Sequence, residues 1–117
     1  MSRIEILLIH GRDGMIQELQ STGHAPVAGS SSLACGLVSS AVRSFGRLLA
    51  NHPKLQTGLK LDGPGHFELR IGEIPPDLTL WYGGVCDLLK KNLSDAQADF
   101  PEFMHIELRN KDLEQEI

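Results

Sequence analysis

IEILLIHGRDGMIQELQS, residues 4–21, decides how this chain is read. Its opening, from Ile4 to Ile9, is apolar apart from Glu5, and such a run can be a secretory leader, a membrane span or a buried strand. Glu5 interrupts the run, His10 and Arg12 follow at once, and no small-residue cleavage site comes after it, which argues against a leader. No run anywhere in the chain approaches the roughly 18 apolar residues that a membrane helix needs, so a soluble protein is expected. Residues 4–10 and 15–21 are therefore predicted as strands. Gly11-Arg12-Asp13-Gly14 between them carries the residues a tight reversal uses, so the fold opens on a β-hairpin.

Working outward, residues 23–32 hold two glycines, a proline and three consecutive serines, too few apolar groups to pack as an element, and a surface loop is expected there. Leu37, Val38, Ala41, Phe45, Leu48 and Leu49 then recur at three- and four-residue intervals. That spacing predicts an amphipathic helix over about 33–50 that buries this stripe, capped by a hydroxyl of Ser30, Ser31 or Ser32. His52-Pro53 ends it, because proline disfavours helical geometry in the residue before it. A second hairpin follows, with Leu59 and Leu61 on one strand, Phe67, Leu69 and Ile71 on the other, and Asp62-Gly63-Pro64-Gly65 as its turn.

After Pro75-Pro76-Asp77 a second helix is predicted, with Leu78, Trp81, Val85, Leu88 and Leu89 on its apolar face and continuing through Leu93 and Ala96. Gly83-Gly84 inside it costs roughly 1 kcal/mol per glycine relative to alanine, which a closely packed neighbour would explain. Alternation of Phe103, His105 and Glu107 against Met104, Ile106 and Leu108 predicts a last strand, and the charged tail beyond it is expected to fray.

The order ββαββαβ predicts an α/β fold of the α+β type: a two-layer sandwich with two helices on one face of a mixed, largely antiparallel sheet. A length of 117 residues, a formal net charge of −4 and 41% hydrophobic residues suit one compact unit. Residues 1–109 are read as a single domain and 110–117 as a charged C-terminal tail. Five short strands leave an edge or a sheet face open to a partner, so a homodimer is expected. The basic residues are scattered, with only Lys90 and Lys91 adjacent, and no face for nucleic acid emerges. Two cysteines without a spaced framework fit a reducing compartment, taken as the cytoplasm. No metal or cofactor is expected, since no short Cys or His spacing draws His10, His24, Cys35 and Cys86 together.

Cysteine reacts as its thiolate, and the start of a helix favours that form because unpaired N–H groups and the helix dipole stabilise negative charge. Cys35 falls near the predicted start of the first helix. Gly36 beside it has no side chain to crowd an incoming peptide, and backbone N–H groups near Cys35 are candidates to hold the oxyanion of an acyl-transfer transition state. His24 closes the second predicted strand, and the ten residues between it and Cys35 are long enough to fold back into hydrogen-bond range. Ser39 lies one helical turn beyond Cys35, where its hydroxyl orients a site group or bonds back to a carbonyl. On the residues alone two readings stand: a nucleophile with its base, or a core cysteine and an unrelated strand-end histidine. Cys86 and Trp81 are expected in the core.

The run Gly23-His24-Ala25, the Gly/Ser-rich loop and Cys35-Gly36-Leu37-Val38-Ser39 together resemble the ribosomal-processing cysteine proteases. The motif of that family is a Gly-His-Ala, a flexible loop, and a Cys-Ala-Ala-Val-Ser opening a helix. Phe100-Pro101-Glu102-Phe103 is similar to the aromatic-Pro-Glu-aromatic segment that the family carries before its last strand. Element order and length also resemble the family across nearly the whole chain. The resemblance implies a cysteine endopeptidase that removes an N-terminal extension from a large-subunit ribosomal protein precursor during ribosome assembly. It implies Cys35 as nucleophile and His24 as general base, with Gly23, Gly36 and Ser39 binding substrate or supporting the site. Where the family has an aspartate a few residues before its cysteine, Ser31, Ser32, Leu33 and Ala34 stand here, and the loop is one residue shorter. The implied site is a dyad without an orienting carboxylate. A second reading therefore stays open, a non-catalytic ribosome- or peptide-binding protein that keeps the fold.

Overall fold

Along the first strand Ile4, Ile6 and Leu8 alternate with Glu5, Leu7 and Ile9, and the first set is almost fully buried. The computed structural model describes residues 3–11, 13–23, 30–60 and 66–111. His24 with the loop to residue 29, the turn Asp62-Gly63-Pro64-Gly65 and the end of the tail, 112–117, lie outside the described residues. The elements are β1 (Ile4–His10), β2 (Ile16–Thr22), α1 (Ser30–Ala50), β3 (Thr57–Lys60), β4 (His66–Ile71), a 3-10 turn (Pro76–Leu78), α2 (Thr79–Asp99) and β5 (Met104–Asn110). This is the expected order ββαββαβ, an α+β sandwich. The strands lie in the order β3-β4-β2-β1-β5, antiparallel throughout except that β5 runs parallel to β1. Both helices cover the same face of this mixed sheet.

One row of cross-strand partners, Leu59, Leu69, Leu19, Leu8 and Leu108, crosses all five strands. The three central leucines are sealed, whereas Leu59 and Leu108 on the edge strands are about half exposed. The opposite face is polar, and its charges pair among themselves: Arg3 with Glu5, Arg109 with Glu107, and Arg70 with both Glu18 and Glu68.

The β1–β2 ladder slips between Ile9 and His10, which leaves Gln17 as an extra residue in β2. Side chains from α2 satisfy the irregular backbone beside it. The Ile16 N–H donates to Cys86 Sγ at 3.4 Å, the Tyr82 hydroxyl donates to the Ile16 carbonyl at 2.5 Å, and Lys90 Nζ donates to the Gly14 carbonyl at 2.5 Å. Tyr82, Cys86 and Lys90 recur every four residues, so one stripe of α2 fastens the helix to the first hairpin. Burial pushes both the Tyr82 phenol and the Cys86 thiol above their ordinary pKa values, and both stay neutral at physiological pH.

The helices differ from the sequence-based expectation in their rotation. In α1 the buried face is Ala34, Val38, Val42, Phe45 and Leu49, while Leu37 and Leu48 are 45% and 47% exposed. In α2 it is Tyr82, Cys86, Leu89, Leu93 and Ala96, while Leu88 is 64% exposed. Trp81, expected in the core, lies at the surface and stacks on His52 with ring centroids 5.1 Å apart. Each helix carries two adjacent apolar stripes, and periodicity alone does not say which one meets the sheet. Nor does a tight neighbour among the described residues explain Gly83 and Gly84, for none of them comes within 4 Å of where a Cβ at either would stand.

Candidate functional site

The strand directions bring five chain segments to one end of the sheet: the start of β1, the end of β2, the N-terminal part of α1, the end of α2 and the start of β5. Direct contacts tie them. The Ile4 N–H donates to the Phe103 carbonyl at 2.8 Å, and the Phe100 N–H donates to the Ala96 carbonyl at 2.8 Å, so residues 100–103 turn tightly from α2 into β5. These four residues, the ones that carry the aromatic-Pro-Glu-aromatic pattern, line with Asp99 a shallow depression of about 240 Å³.

Gly23 ends β2 at the same place. Its φ is 88°, a conformation that side chains oppose, and a Cβ there would collide with the Arg3 carbonyl oxygen. Glycine is thus required by the backbone path that leaves β2 beside the start of β1. His24 is the next residue, outside the described residues.

Cys35 is half-buried and packs against the rim of the core cluster, between Ala34 and Val38, which point inward, and Gly36 and Ser39, which are exposed. Neither Cys35 nor Cys86 is in a disulfide. Among the described residues nothing lies within 4 Å of where a Cβ on Gly36 would stand, so they leave the surface beside the thiol open. A half-buried thiol at the border of core and solvent has the access that a nucleophile needs, whereas the sealed Cys86 does not.

Helix α1 begins at Ser30, about three residues before the expected start, which changes the electrostatics of Cys35. The serines taken as capping candidates lie inside the helix. Cys35 stands in its second turn, beyond the first turn where the dipole acts most strongly. Helix geometry also commits the Cys35 and Gly36 N–H groups to bonds within α1. They are therefore not available as oxyanion donors in this conformation, and the first turn of α1 holds no acidic residue. Among the described residues no group of three or more His, Cys, Asp or Glu side chains could hold a metal ion, and no helix is long and apolar enough to cross a membrane.

A groove of about 430 Å³ leads away from this end between the two helices, with Leu37, Ala41 and Ser44 on one wall and Asn92, Asp95 and Asp99 on the other. Asp99 borders both the groove and the depression. Sequence reasoning missed this groove because it placed Leu37 and Ala41 against the sheet.

No protein-family model matches the chain, and no curated protein matches it significantly. Solved structures do. The Streptococcus mutans protein SMU.848 is 17% identical, with a TM-score of 0.79 over 94% of this chain and 100% of that one. The ribosomal processing protease Prp from S. aureus, bound to a covalently linked product peptide, is 14% identical with a TM-score of 0.74 over 91% and 99%. The same protease bound to a substrate peptide is 12% identical, with a TM-score of 0.73 over the same shares. The fold of this chain is that of the ribosomal processing protease Prp.

Proposed function

We propose that this protein is a cysteine endopeptidase that removes an N-terminal extension from a large-subunit ribosomal protein precursor during ribosome assembly. The observation that carries the reading is the position of Cys35, half-buried beside the open surface at Gly36, at the sheet end where Gly23 delivers the chain to His24. The near full-length likeness to peptide-bound Prp structures supports it. In this reading His24 takes the Cys35 proton and the thiolate attacks the scissile carbonyl. The leaving amine departs with that proton, and water then releases the acyl group from sulfur. With Cys35 in the second helical turn and no aspartate before it, the activation falls mainly on His24. Gly23 fixes the approach to the base, Gly36 keeps the peptide side clear, and Ser39 supports the helix surface one turn on.

The partner is the ribosomal protein precursor itself, the compartment is the cytoplasm where ribosomes assemble, and the protein acts as a homodimer. The absent carboxylate favours one competing reading, a protein of the same fold that binds the peptide without cleaving it. Incubating the purified protein with the precursor and following the precursor by mass spectrometry separates the two. Processing by the parent that is lost in both Cys35→Ala and His24→Ala supports the protease. Equal processing by all three sinks the dyad, and tight binding without cleavage by the parent selects the binding protein.

A further inference from the structure

The groove between the helices begins beside the proposed site. Leu37 on its α1 wall is two residues on from Cys35, and Asp99 on its α2 wall also borders the depression at residues 99–103. Ala41, Leu93 and Ala96 give it an apolar floor, the last two of them buried. Leu37 and Ser44 bound the α1 wall, about 10 Å apart along the axis at the rise of an α-helix, which matches the reach of about three residues of extended chain.

Of the residues that line the groove only Asp95 and Asp99 are ionisable, and both are acidic. Asp95 is bonded to Lys91 at 2.9 Å, whereas Asp99 has no hydrogen bond or ion pair among the described residues. Asp99 is also the last residue of α2, where the helix dipole is negative and favours a cation, yet the last turn holds no basic residue. Its carboxylate therefore works against the helix that it ends, and Glu102 adds a further negative charge on the adjoining depression. An apolar floor with an acidic rim matches a lysine or arginine side chain, whose aliphatic stem lies on apolar surface while its head stays at a carboxylate.

We infer that this groove takes the basic segment that follows the cleaved bond of the precursor, about three residues long, with a Lys or Arg head at Asp99. The inference rests on the precursor reading above and names what the groove selects in that substrate. A protein destined to sit in ribosomal RNA neutralises phosphates with Lys and Arg, so the mature side of the precursor supplies such side chains. The charge that weakens the end of α2 on its own is then met by the substrate, and Asp99 acts as a specificity residue rather than a catalytic one.

Fluorescence anisotropy of a labelled peptide spanning the cleavage junction of the precursor tests this, with Cys35→Ala protein so that binding is read without cleavage. In that background Asp99→Asn is expected to weaken binding about fivefold at low salt, and Asp95→Asn with Asp99→Asn about tenfold, both differences shrinking as salt is raised. A peptide whose mature-side Lys and Arg are replaced by Gln is expected to bind equally with and without Asp99→Asn. Asp99→Asn is expected to melt no lower than its parent, since it relieves the clash with the helix dipole, so weaker binding does not report lost folding. Asp87→Asn, the same change of charge on exposed α2 surface outside the groove, is expected to leave the affinity unchanged. An equal loss from Asp87→Asn, or an equal loss with the glutamine peptide on Asp99→Asn, overturns the groove as the seat of recognition. Mass spectrometry of the same peptide with Cys35 in place separates the two readings. Cleavage that needs Cys35 but has the same KM in Asp99→Asn overturns the groove assignment alone. A peptide that binds through Asp99 and is never cut keeps the groove and overturns the protease, and one that neither binds nor is cut overturns both.

Discussion

Gly23 shows how much a single missing side chain can decide. Alanine there must take up a φ of 88° and also displace the Arg3 carbonyl, so Gly23→Ala is expected to cost about 1–3 kcal/mol, measurable as a lower urea midpoint with unchanged slope. Because the neighbouring residue is the proposed base, precursor processing should fall further than the loss of folded protein explains. Gly36→Ala is the contrasting case. Its Cβ enters open surface, alanine is the better helix former, and stability should rise by up to about 1 kcal/mol. If Gly36 faces the substrate, the same variant processes the precursor more slowly despite its added stability, and unchanged turnover would remove Gly36 from the site. The motif singled out both glycines together, yet only the coordinates separate a glycine held by its own backbone from one set against open space.

At the scale of elements, α2 depends on its attachment to the first hairpin. Tyr82→Phe leaves the packing almost intact and strips the buried Ile16 carbonyl of its donor, so a loss of about 1–3 kcal/mol is expected in denaturant unfolding. A pH signature accompanies it. The folded state raises the pKa of both the Cys86 thiol and the Tyr82 phenol, so in alkali the unfolded chain releases these protons first. Stability from this source is level at neutral pH and falls as pH rises past about 9 and then about 10, the ordinary values of the two groups. Tyr82→Phe should remove the later part of that decline, and an identical alkaline slope in the variant would rule Tyr82 out as its source.

Element type and order were legible, because strand alternation and helical spacing follow from backbone geometry. The rotation of the helices was not: Val42 and Tyr82 face the sheet where Ala41 and Trp81 had equal claim by spacing. The hydroxyl that finds the Ile16 carbonyl depends on a bulge that no periodicity announces.

For the molecule as a whole, the chain order already implied two helices over one sheet face, while the strand order needed coordinates. Placing β1 between antiparallel β2 and parallel β5 gathers Gly23, α1 and residues 100–103 at one end, although they are distant in sequence. That convergence gives the motif fragments a common location. The clamp of Tyr82, Cys86 and Lys90 holds the other end, where β1 turns into β2. The anchored end and the end of the proposed site are thus separated, an arrangement that would let the latter adjust without loosening the fold.

The contrast between the two thiols turns this separation into a clock. Cys35 lies half-open at one end, and Cys86 is sealed beneath α2, bonded to the Ile16 N–H near the other. A disulfide reagent added to the native protein should therefore be consumed in two phases. The fast phase titrates one equivalent and reports only on the surroundings of Cys35. The slow phase waits for α2 to leave the hairpin, and its rate should rise with denaturant as global opening does. Processing activity, if Cys35 carries it, should vanish with the first equivalent while the fold persists, so that inhibition and denaturation can be timed separately in one tube.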